Sequence, residues 1–409
     1  MANIRIRKGY DIPLQGGPQG ELKKWDKQGK VALDLSPFEN ISLTLLKKVG
    51  DEVKIGEPLA IDKGNADRCF VSPASGKVLE ILRGEKRRPL SIVIEEDGEF
   101  YFEHREPDLL KRFLTGGGFT HIRSRPGERL AHPKKMPRSI FVKALETAPF
   151  APSALMQLAG REQWFQKGID ALAQYAPVHL VAEPGTFAEV RGGHYHTAVG
   201  PHPVSNPSLH ISLIDPIRNL SDEVWTLGVQ DVIVIGRLAA EGIYERNRVV
   251  SVAGEGIEER GYYLAPAGFD LSVLNHQGRL ISGDPLMGVQ QPFLGFFHHT
   301  VCSIMDPPEP RTWLHFMRCL TSEVTTHQHG EERPFVDGSI YDRVMPLKIS
   351  TMHLVKALMN HDFDKAMEFG LLEVVSEDFA LPTYICPSKI EMVSLVREKL
   401  NEFSLQYLS

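Results

Sequence analysis

Residues 49–59 read Val49-Gly50-Asp51-Glu52-Val53-Lys54-Ile55-Gly56-Glu57-Pro58-Leu59, and residues 72–81 read Ser72-Pro73-Ala74-Ser75-Gly76-Lys77-Val78-Leu79-Glu80-Ile81. Short strand-forming runs broken by Gly-Asp and Pro-x-x-Gly turns describe a small twisted barrel, because those turn residues supply the backbone angles that reverse a strand. The pattern fits a barrel of the lipoyl or biotinyl kind, which carries a swinging arm or serves as a docking module in a larger assembly. Most of the 409-residue chain lies beyond it, which argues against a simple carrier. Lys63, in Ile61-Asp62-Lys63-Gly64, lies between the two half-barrels, where lipoyl domains display their modified lysine. The stretch 62–71 reads as longer and more polar than a tight hairpin, which argues against such an arm.

Length allows two to four domains with ample buried cores. The chain is 42% hydrophobic and 24% charged, ordinary for a globular protein. A net charge of −6 argues against general nucleic-acid binding. Charge is uneven: residues 1–88 hold 17 Lys and Arg against 12 Asp and Glu. A basic N-terminal module suits anionic lipid or an acidic partner, and equally suits ordinary solvation. No run approaches the ~18–20 apolar residues that span a bilayer. The N-terminus, Met1-Ala2-Asn3-Ile4-Arg5-Ile6-Arg7, lacks the apolar segment of a signal peptide. The expectation is a cytoplasmic chain whose membrane association is peripheral. Cys69, Cys302, Cys319 and Cys386 contain no C-x-x-C pair, which argues against a disulfide framework and against an iron–sulfur cluster held by this chain alone.

Beyond the strand-rich first hundred residues, a helix is expected near Pro107–Leu114, ending in Gly116-Gly117-Gly118. The apolar runs Ser139–Val142, Val178–Val181, His210–Ile214 and Val232–Ile235 read as buried strands. Helical spacing over Glu162–Tyr175 and a short helix over Leu220–Val229 alternate with them, so a mainly parallel α/β layer is expected. Val249–Gly254 is expected to pair with Gly261–Leu264, with Leu271–Leu274 as a short covering helix; that order fits a β-grasp module. From residue 345 the pattern is helical. In the last helix Ser388 and Glu391 read as a capping box, and Ile390, Val393, Val396, Leu400 and Phe403 form one apolar stripe. The expected fold is thus multidomain α/β, divided at 1–100, 101–248, 249–335 and 336–409.

A series of segments carries a resemblance. It runs through Lys8-Gly9-Tyr10-Asp11-Ile12-Pro13-Leu14, Ser72-Pro73-Ala74-Ser75-Gly76-Lys77-Val78 and Arg83-Gly84-Glu85-Lys86-Arg87. It continues through Arg123-Ser124-Arg125-Pro126, Gly200-Pro201-His202-Pro203, Gln230-Asp231-Val232-Ile233 and Ile281-Ser282-Gly283. Tyr341-Asp342-Arg343-Val344-Met345-Pro346-Leu347 and Ile385-Cys386-Pro387-Ser388-Lys389-Ile390-Glu391 close it. In this order the segments resemble the NqrA family of the Na+-translocating NADH:quinone reductase. The resemblance implies a peripheral component on the cytoplasmic face of a six-subunit membrane complex, which passes electrons from NADH to ubiquinone and exports Na+. Its partners would be the five other subunits, NqrB to NqrF. The implied fold is a lipoyl-like β barrel-sandwich, a Rossmann-like layer, a β-grasp (SLBB-like) module and a helical end. It is shared with the flavin-binding subunit of respiratory complex I and with RnfC.

The resemblance also frames the candidate chemistry. Gly116-Gly117-Gly118-Phe119-Thr120 stands where the flavin-binding relatives carry a phosphate loop, but it lacks their longer glycine pattern and follows a helix, not a strand. It reads as a tight turn. Cys386-Pro387-Ser388-Lys389 places a lysine where cluster-holding relatives have a second thiolate, and an ammonium cannot ligate iron. Cys386 is therefore expected to be a buried cysteine at a helix start. The chain is expected to hold no cofactor, with flavins, NADH and iron–sulfur on other subunits. The loops His194-Tyr195-His196 with His202, His298-His299 with Cys302, and His327-x-His329 offer zinc-type donors, yet none has a second pair nearby in sequence. No metal site is assigned, and no nucleophile–base pair or P-loop is present.

Two segments match family stretches associated with ubiquinone. A quinone needs an apolar slot and donors to its carbonyl oxygens. Leu33, Leu35 and Phe38 are candidates for the slot; Arg123, Arg125 and Pro126 form the second segment, with Arg125 as donor. The family's usual phenylalanine after Arg-Pro is Gly127 here. The alternatives are that both segments only pack against other subunits, leaving a structural component with decayed sites, or that the chain is an RnfC-like electron carrier.

Overall fold

The computed structural model describes residues 1–27, 29–305, 335 and 338–408. Strands β1 (Asn3–Arg5) and β2 (Leu22–Lys24) leave the barrel and pair with strands far along the chain. The barrel is made by β3 (Lys30–Asp34), β4 (Leu43–Leu45), β5 (Glu52–Val53), β6 (Pro58–Asp62), β7 (Asn65–Val71), β8 (Ser75–Arg83) and β9 (Pro89–Gly98). A four-stranded sheet ordered β3-β9-β8-β5 faces a three-stranded sheet ordered β4-β6-β7. Leu33, Leu35, Phe38, Phe70, Val78 and Ile92 are among the apolar residues enclosed between them. Gly76 is required: at φ +139° a Cβ would lie 1.9 Å from the Glu95 carbonyl oxygen.

One expectation about the barrel fails. Asp62 pairs with Asn65 across β6 and β7, so Lys63-Gly64 is a tight two-residue hairpin, not a long polar connection. The polar run 65–67 that suggested a loop belongs to β7, whose early residues face water. Lys63 stands exposed at the tip, its amide donating to the Ser42 carbonyl at 2.8 Å.

The second unit begins with α1 (Leu109–Thr115), capped by the Asp108 carboxylate on the Leu110 and Lys111 amides. After it come β10 (Arg123–Arg125), β11 (Arg129–Leu130), β12 (Ser139–Ala144), α2 (Ala154–Leu158), α3 (Glu162–Leu172), β13 (Val178–Ala182) and β14 (His194–Val199). α4 (Pro207–Ile214), β15 (Val224–Gly228) and α5 (Val229–Glu241) complete it. The sheet order is β1-β14-β13-β12-β15-β10-β11; the first five strands are parallel, β10 pairs antiparallel with β15, and β11 pairs antiparallel with β10.

Three expectations are corrected here. His210–Ile214 belongs to helix α4, started by Asn206 and by Pro207 in the first turn, where its missing N–H is no loss. Val232–Ile235 is the buried middle of α5, not a strand. The Asp231 carboxylate accepts from the Gly228 amide at 2.9 Å to start that helix, and left-handed Gly242 stops it. The span Leu220–Val229 is no helix: its Val224–Leu227 part is strand β15, buried on both faces. Helices α3 and α5 meet backbone to backbone. A Cβ on Gly236 would lie 1.7 Å from the Trp164 carbonyl oxygen, and one on Gly168 would lie 2.2 Å from that of Val232.

Next come β16 (Asn247–Ala253), β17 (Gly261–Pro266), β18 (Arg279–Ser282) and β19 (Thr300–Ile304). With β2 they form a five-stranded sheet ordered β18-β19-β16-β17-β2, and β16 pairs with β17 antiparallel as expected. Leu271–Val273 is a single turn of 3-10 helix. The C-terminal region is helical: α6 (Thr351–Met359), α7 (Phe363–Glu368), α8 (Ala380–Ile385) and α9 (Met392–Tyr407). Val396, Leu400 and Phe403 of α9 are fully buried, as the stripe requires. α9 begins at Met392 with Glu391 at the cap position, so Ser388 stands before the helix and not at its N-cap.

Candidate functional site

β10 alternates, so Arg123 and Arg125 share one face and Ser124 takes the other. Ser124 donates to the Glu223 carboxylate, which also pairs with Arg129 at 3.1 Å. Arg123 lies with its guanidinium carbon 3.9 Å from the centre of the Phe297 ring. Phe38 packs edge-on against Phe296 (5.1 Å between centroids) and stands 5.8 Å from Phe297. The two segments singled out from the sequence therefore converge, and the residue that joins them is Phe297. No motif marks it; only the doubled aromatic Phe296-Phe297 after a Gly offered a signal.

Not every candidate faces that seam. Leu33 and Leu35, 3% and 1% exposed, lie inside the barrel core, and only Phe38, itself 3% exposed, reaches the seam from that core. Pro126 is buried as well. Arg125 turns inward and donates to the Ser208 hydroxyl at 3.0 Å, beside Asp378. Burial makes its charge costly, and Asp378 and Glu128 offset that. Asp378 in turn accepts from the Asn206 amide at 3.0 Å and from the Val375 backbone at 2.9 Å. Glu128 accepts from the Ser376 hydroxyl at 2.6 Å; burial works against its ionised form, yet Arg123 and Ser376 hold its carboxyl below the usual range. Arg125 is thus a fastener between the sheet and the C-terminal helices. Gly127 adopts φ +81°, and a Cβ there would meet Ser404 Oγ at 2.7 Å, so α9 fills the space beside it. A recess of about 420 Å³ opens at Glu255–Ile257 and Asn275–Gln277, away from all six candidates.

A polar cluster that sequence reasoning missed lies beneath the glycine run. His121 Nδ1 is 3.0 Å from the Asp231 carboxylate, and Nε2 is 3.2 Å from Tyr244 Oη. Arg248, 2% exposed on its side chain, stands 3.9 Å from the same carboxylate. Burial lowers the His121 imidazole, which is therefore neutral. Nδ1 thus lies between the Asp231 carboxylate and Arg248 Nη2, which is 3.2 Å from it, while Nε2 faces the Tyr244 hydroxyl, and Arg248 also balances the carboxylate's charge. Burial alone would raise Asp231. The His121 hydrogen bond and the charge of Arg248 instead hold it well below the usual carboxylate range.

Gly116, Gly117 and Gly118 are buried. A Cβ on Gly117, at φ +77°, would meet Val71 Cγ2 at 2.7 Å, and one on Gly116 would meet Leu238 Cδ2 at 2.7 Å. Side chains of β7 and α5 thus cover the backbone that a phosphate would have to approach, and the run works as a packing turn.

Cys386 is fully buried but ends α8 instead of starting a helix. Its sulfur is 3.2 Å from Tyr341 Oη and accepts from the Ile390 amide at 3.4 Å. His194, Tyr195 and His196 form strand β14, not a loop. His196 Nε2 lies 3.0 Å from His179 Nδ1, and its own Nδ1 accepts from the Ala2 amide at 3.0 Å. His298 bonds Ser282 and His299 bonds Gln230, so these rings are engaged in packing networks. Among the described residues no group of three His, Cys, Asp or Glu is arranged to hold a metal. Cys319, His327 and His329 lie outside the described residues.

Comparison with known proteins fits this architecture. Residues 4–97 match the family described as the NqrA N-terminal barrel-sandwich hybrid domain, and residues 105–244 match the NqrA second alpha/beta domain. The NqrA protein of the Na(+)-translocating NADH-quinone reductase of Chlamydia pneumoniae is 34% identical over 456 residues, covering 98% of this chain and 97% of that protein. Its counterpart in Photorhabdus laumondii is 32% identical over 442 residues, covering 98% and 99%. The counterpart in Chlamydia trachomatis serovar L2 is 33% identical over 457 residues, covering 98% of each. With two matched domains and alignment along nearly its whole length, the chain belongs to the NqrA family of the Na+-translocating NADH-quinone reductase.

Proposed function

We propose that the chain serves Na+-translocating NADH:ubiquinone reduction as a component that holds no redox group and presents a ubiquinone-associated surface. Any activity belongs to the assembled complex, since the chain has no self-contained catalytic machinery. The observation that carries the reading is the convergence on Phe297 of Phe38 from one quinone-associated segment and Arg123 from the other. Phe297 is partly exposed, so a quinone ring can stack on it, and Arg123 supplies a donor beside it. The donor role moves to Arg123 because Arg125 is engaged with Ser208 and Asp378.

NADH, flavins and iron–sulfur groups then sit on the partners, NqrB to NqrF, which also anchor this chain at the cytoplasmic face. Among the described residues no helix is long and apolar enough to cross a membrane, which suits that arrangement. The parallel core β14-β13-β12-β15, with helices packed on it, supports a Rossmann-like label for residues 101–248. The β16–β17 hairpin with its 3-10 turn supports an SLBB-like label for 249–335, between the barrel of 1–100 and the helical end of 336–409.

One observation favours a purely structural reading instead: Leu33, Leu35 and Phe38 line a closed core, not an open slot. Hydrogen exchange of the purified chain with and without a short-chain ubiquinone separates the two. Protection of amides 123–130 and 293–300 supports the quinone surface; unchanged exchange there leaves a docking scaffold. Co-purification of five further subunits from membranes tests membership of the complex separately.

A further inference from the structure

The loop between β11 and β12 reads Ala131-His132-Pro133-Lys134-Lys135-Met136-Pro137-Arg138, and Lys134, Lys135 and Met136 are exposed. It is held rigidly from both ends and from the middle. The Ala131 amide donates to the Ile122 carbonyl at 2.9 Å, and Arg68 donates to the Ala131 carbonyl at 2.5 Å. The Lys134 amide donates to His132 Nδ1 at 3.2 Å, and the Arg138 amide to the Glu223 carbonyl at 2.8 Å. Lys135 Nζ donates to the Leu408 carbonyl at 3.0 Å, which joins the loop to the end of α9.

Neighbouring carboxylates are already committed. Asp62 pairs with Arg68 at 3.3 Å, Glu223 with Arg129 at 3.1 Å, and Asp215 and Asp222 both with Arg138 at 3.2 Å. On the hairpin that carries Arg68, Lys63 and Asp67 are both exposed. Burial, with Arg68, Lys135 and Lys134 nearby, lowers the His132 imidazole, so it carries no charge near neutral pH. Lys134 and Lys135 form no ion pair among the described residues; Lys135 is held at the Leu408 carbonyl and its charge also reaches Glu223, while Lys134 is exposed. Met136 of the same loop is 49% exposed, and Leu405, one turn before the Leu408 that Lys135 bonds, is 62% exposed.

We propose that the Lys134-Lys135-Met136 loop, together with Leu405, contacts the anionic headgroups of a bilayer directly. Lysines attract the headgroups while Met136 and Leu405 enter the boundary with the acyl region. An acidic protein surface would satisfy the lysines but leave both apolar tips at a polar rim, so lipid is the better match. The contact is weak alone and adds to anchoring by the other subunits, fixing which side of the chain faces the membrane. It does not depend on where quinone binds.

The test is flotation of the purified full chain with vesicles of phosphatidylcholine, with and without phosphatidylglycerol. Binding is expected only to the anionic vesicles and should weaken as salt rises. The pair K134Q/K135Q is expected to lower partitioning by about 25-fold, at about fivefold per lysine. M136S should lower it by a smaller factor. The pair K86Q/R87Q, on the basic β8–β9 turn without exposed apolar neighbours, should leave it unchanged. All these sites are exposed, and melting curves measured alongside confirm folding. Failure to bind anionic vesicles overturns the proposal, as does an equal loss in K86Q/R87Q. Retention of the chain only on membranes that contain the other subunits, with K134Q/K135Q abolishing it, assigns the loop to an acidic protein surface instead.

Discussion

Arg123 and Phe297 meet face-on: the guanidinium carbon is 3.9 Å from the ring centre, although 174 residues of sequence separate them. Neither residue belongs to the barrel, yet Phe38 of the barrel reaches the same ring. The proposed quinone surface is this seam between three parts of the chain. F297A removes the stacking face and the support for Arg123. Ubiquinone-dependent protection of amides 123–130 should disappear in F297A and survive partly in F297Y. Full protection in F297A would sink the seam reading.

The His121–Asp231–Arg248 cluster should be costly to break. D231N deprives buried Arg248 of its counter-charge, and removing one partner of a buried pair typically costs about 3–5 kcal/mol. Because the folded chain holds this carboxyl below its unfolded value, the stabilisation is complete above about pH 4 and is lost as pH falls further. Urea unfolding should show D231N weaker at neutral pH, with the gap closing in acid.

Asp284 makes the opposite case. Burial raises its carboxyl to about 6, against two backbone hydrogen bonds from Leu286 and Met287, with Glu377 and Glu146 adding repulsion. Its folded value exceeds the unfolded one, so the chain gives up stability as pH rises from about 4 towards 6. D284N can still accept both amide bonds. It should gain about 1 kcal/mol near neutral pH and nothing near pH 4, measured by denaturant midpoints at both pH values.

The glycine turn gives a cleaner structural test. G117A places a methyl 2.7 Å from Val71 Cγ2 at a left-handed residue, and should cost about 2 kcal/mol. V71A leaves room for the methyl, so the double variant should be more stable than the sum of the single losses allows. Strict additivity in thermal melting would show that Val71 does not fill this space.

The barrel was readable because its turns depend on residues such as Gly76, whose backbone angle few other residues adopt. The parallel strands at 139–144 and 178–182 were readable because burial on both faces leaves a continuous apolar run. The same cue misled at Val232–Ile235, since periodicity does not separate a buried strand from a buried helix. Asp231, Gly236 and Gly242, which cap and seat that helix, were the better signals. The Lys63 hairpin was hidden by a strand whose first residues are polar on the solvent side. The candidate site was half readable. Its arginines stood in a recognisable segment, but the Phe297 contact and the His121 cluster join residues more than a hundred positions apart, which no local pattern records.

Helix α5 touches α3 with no side chain between them, through Gly168 and Gly236. The same helix carries Asp231 at one end and Leu238 near the other, so it measures out the spacing between the charged cluster and the lid on the glycine turn. A spacer of even one methyl at Gly236 would lift the rod off its bearing and shift both ends together. Two features that stand apart in the fold share a single mechanical origin, and they drift, or hold still, as one.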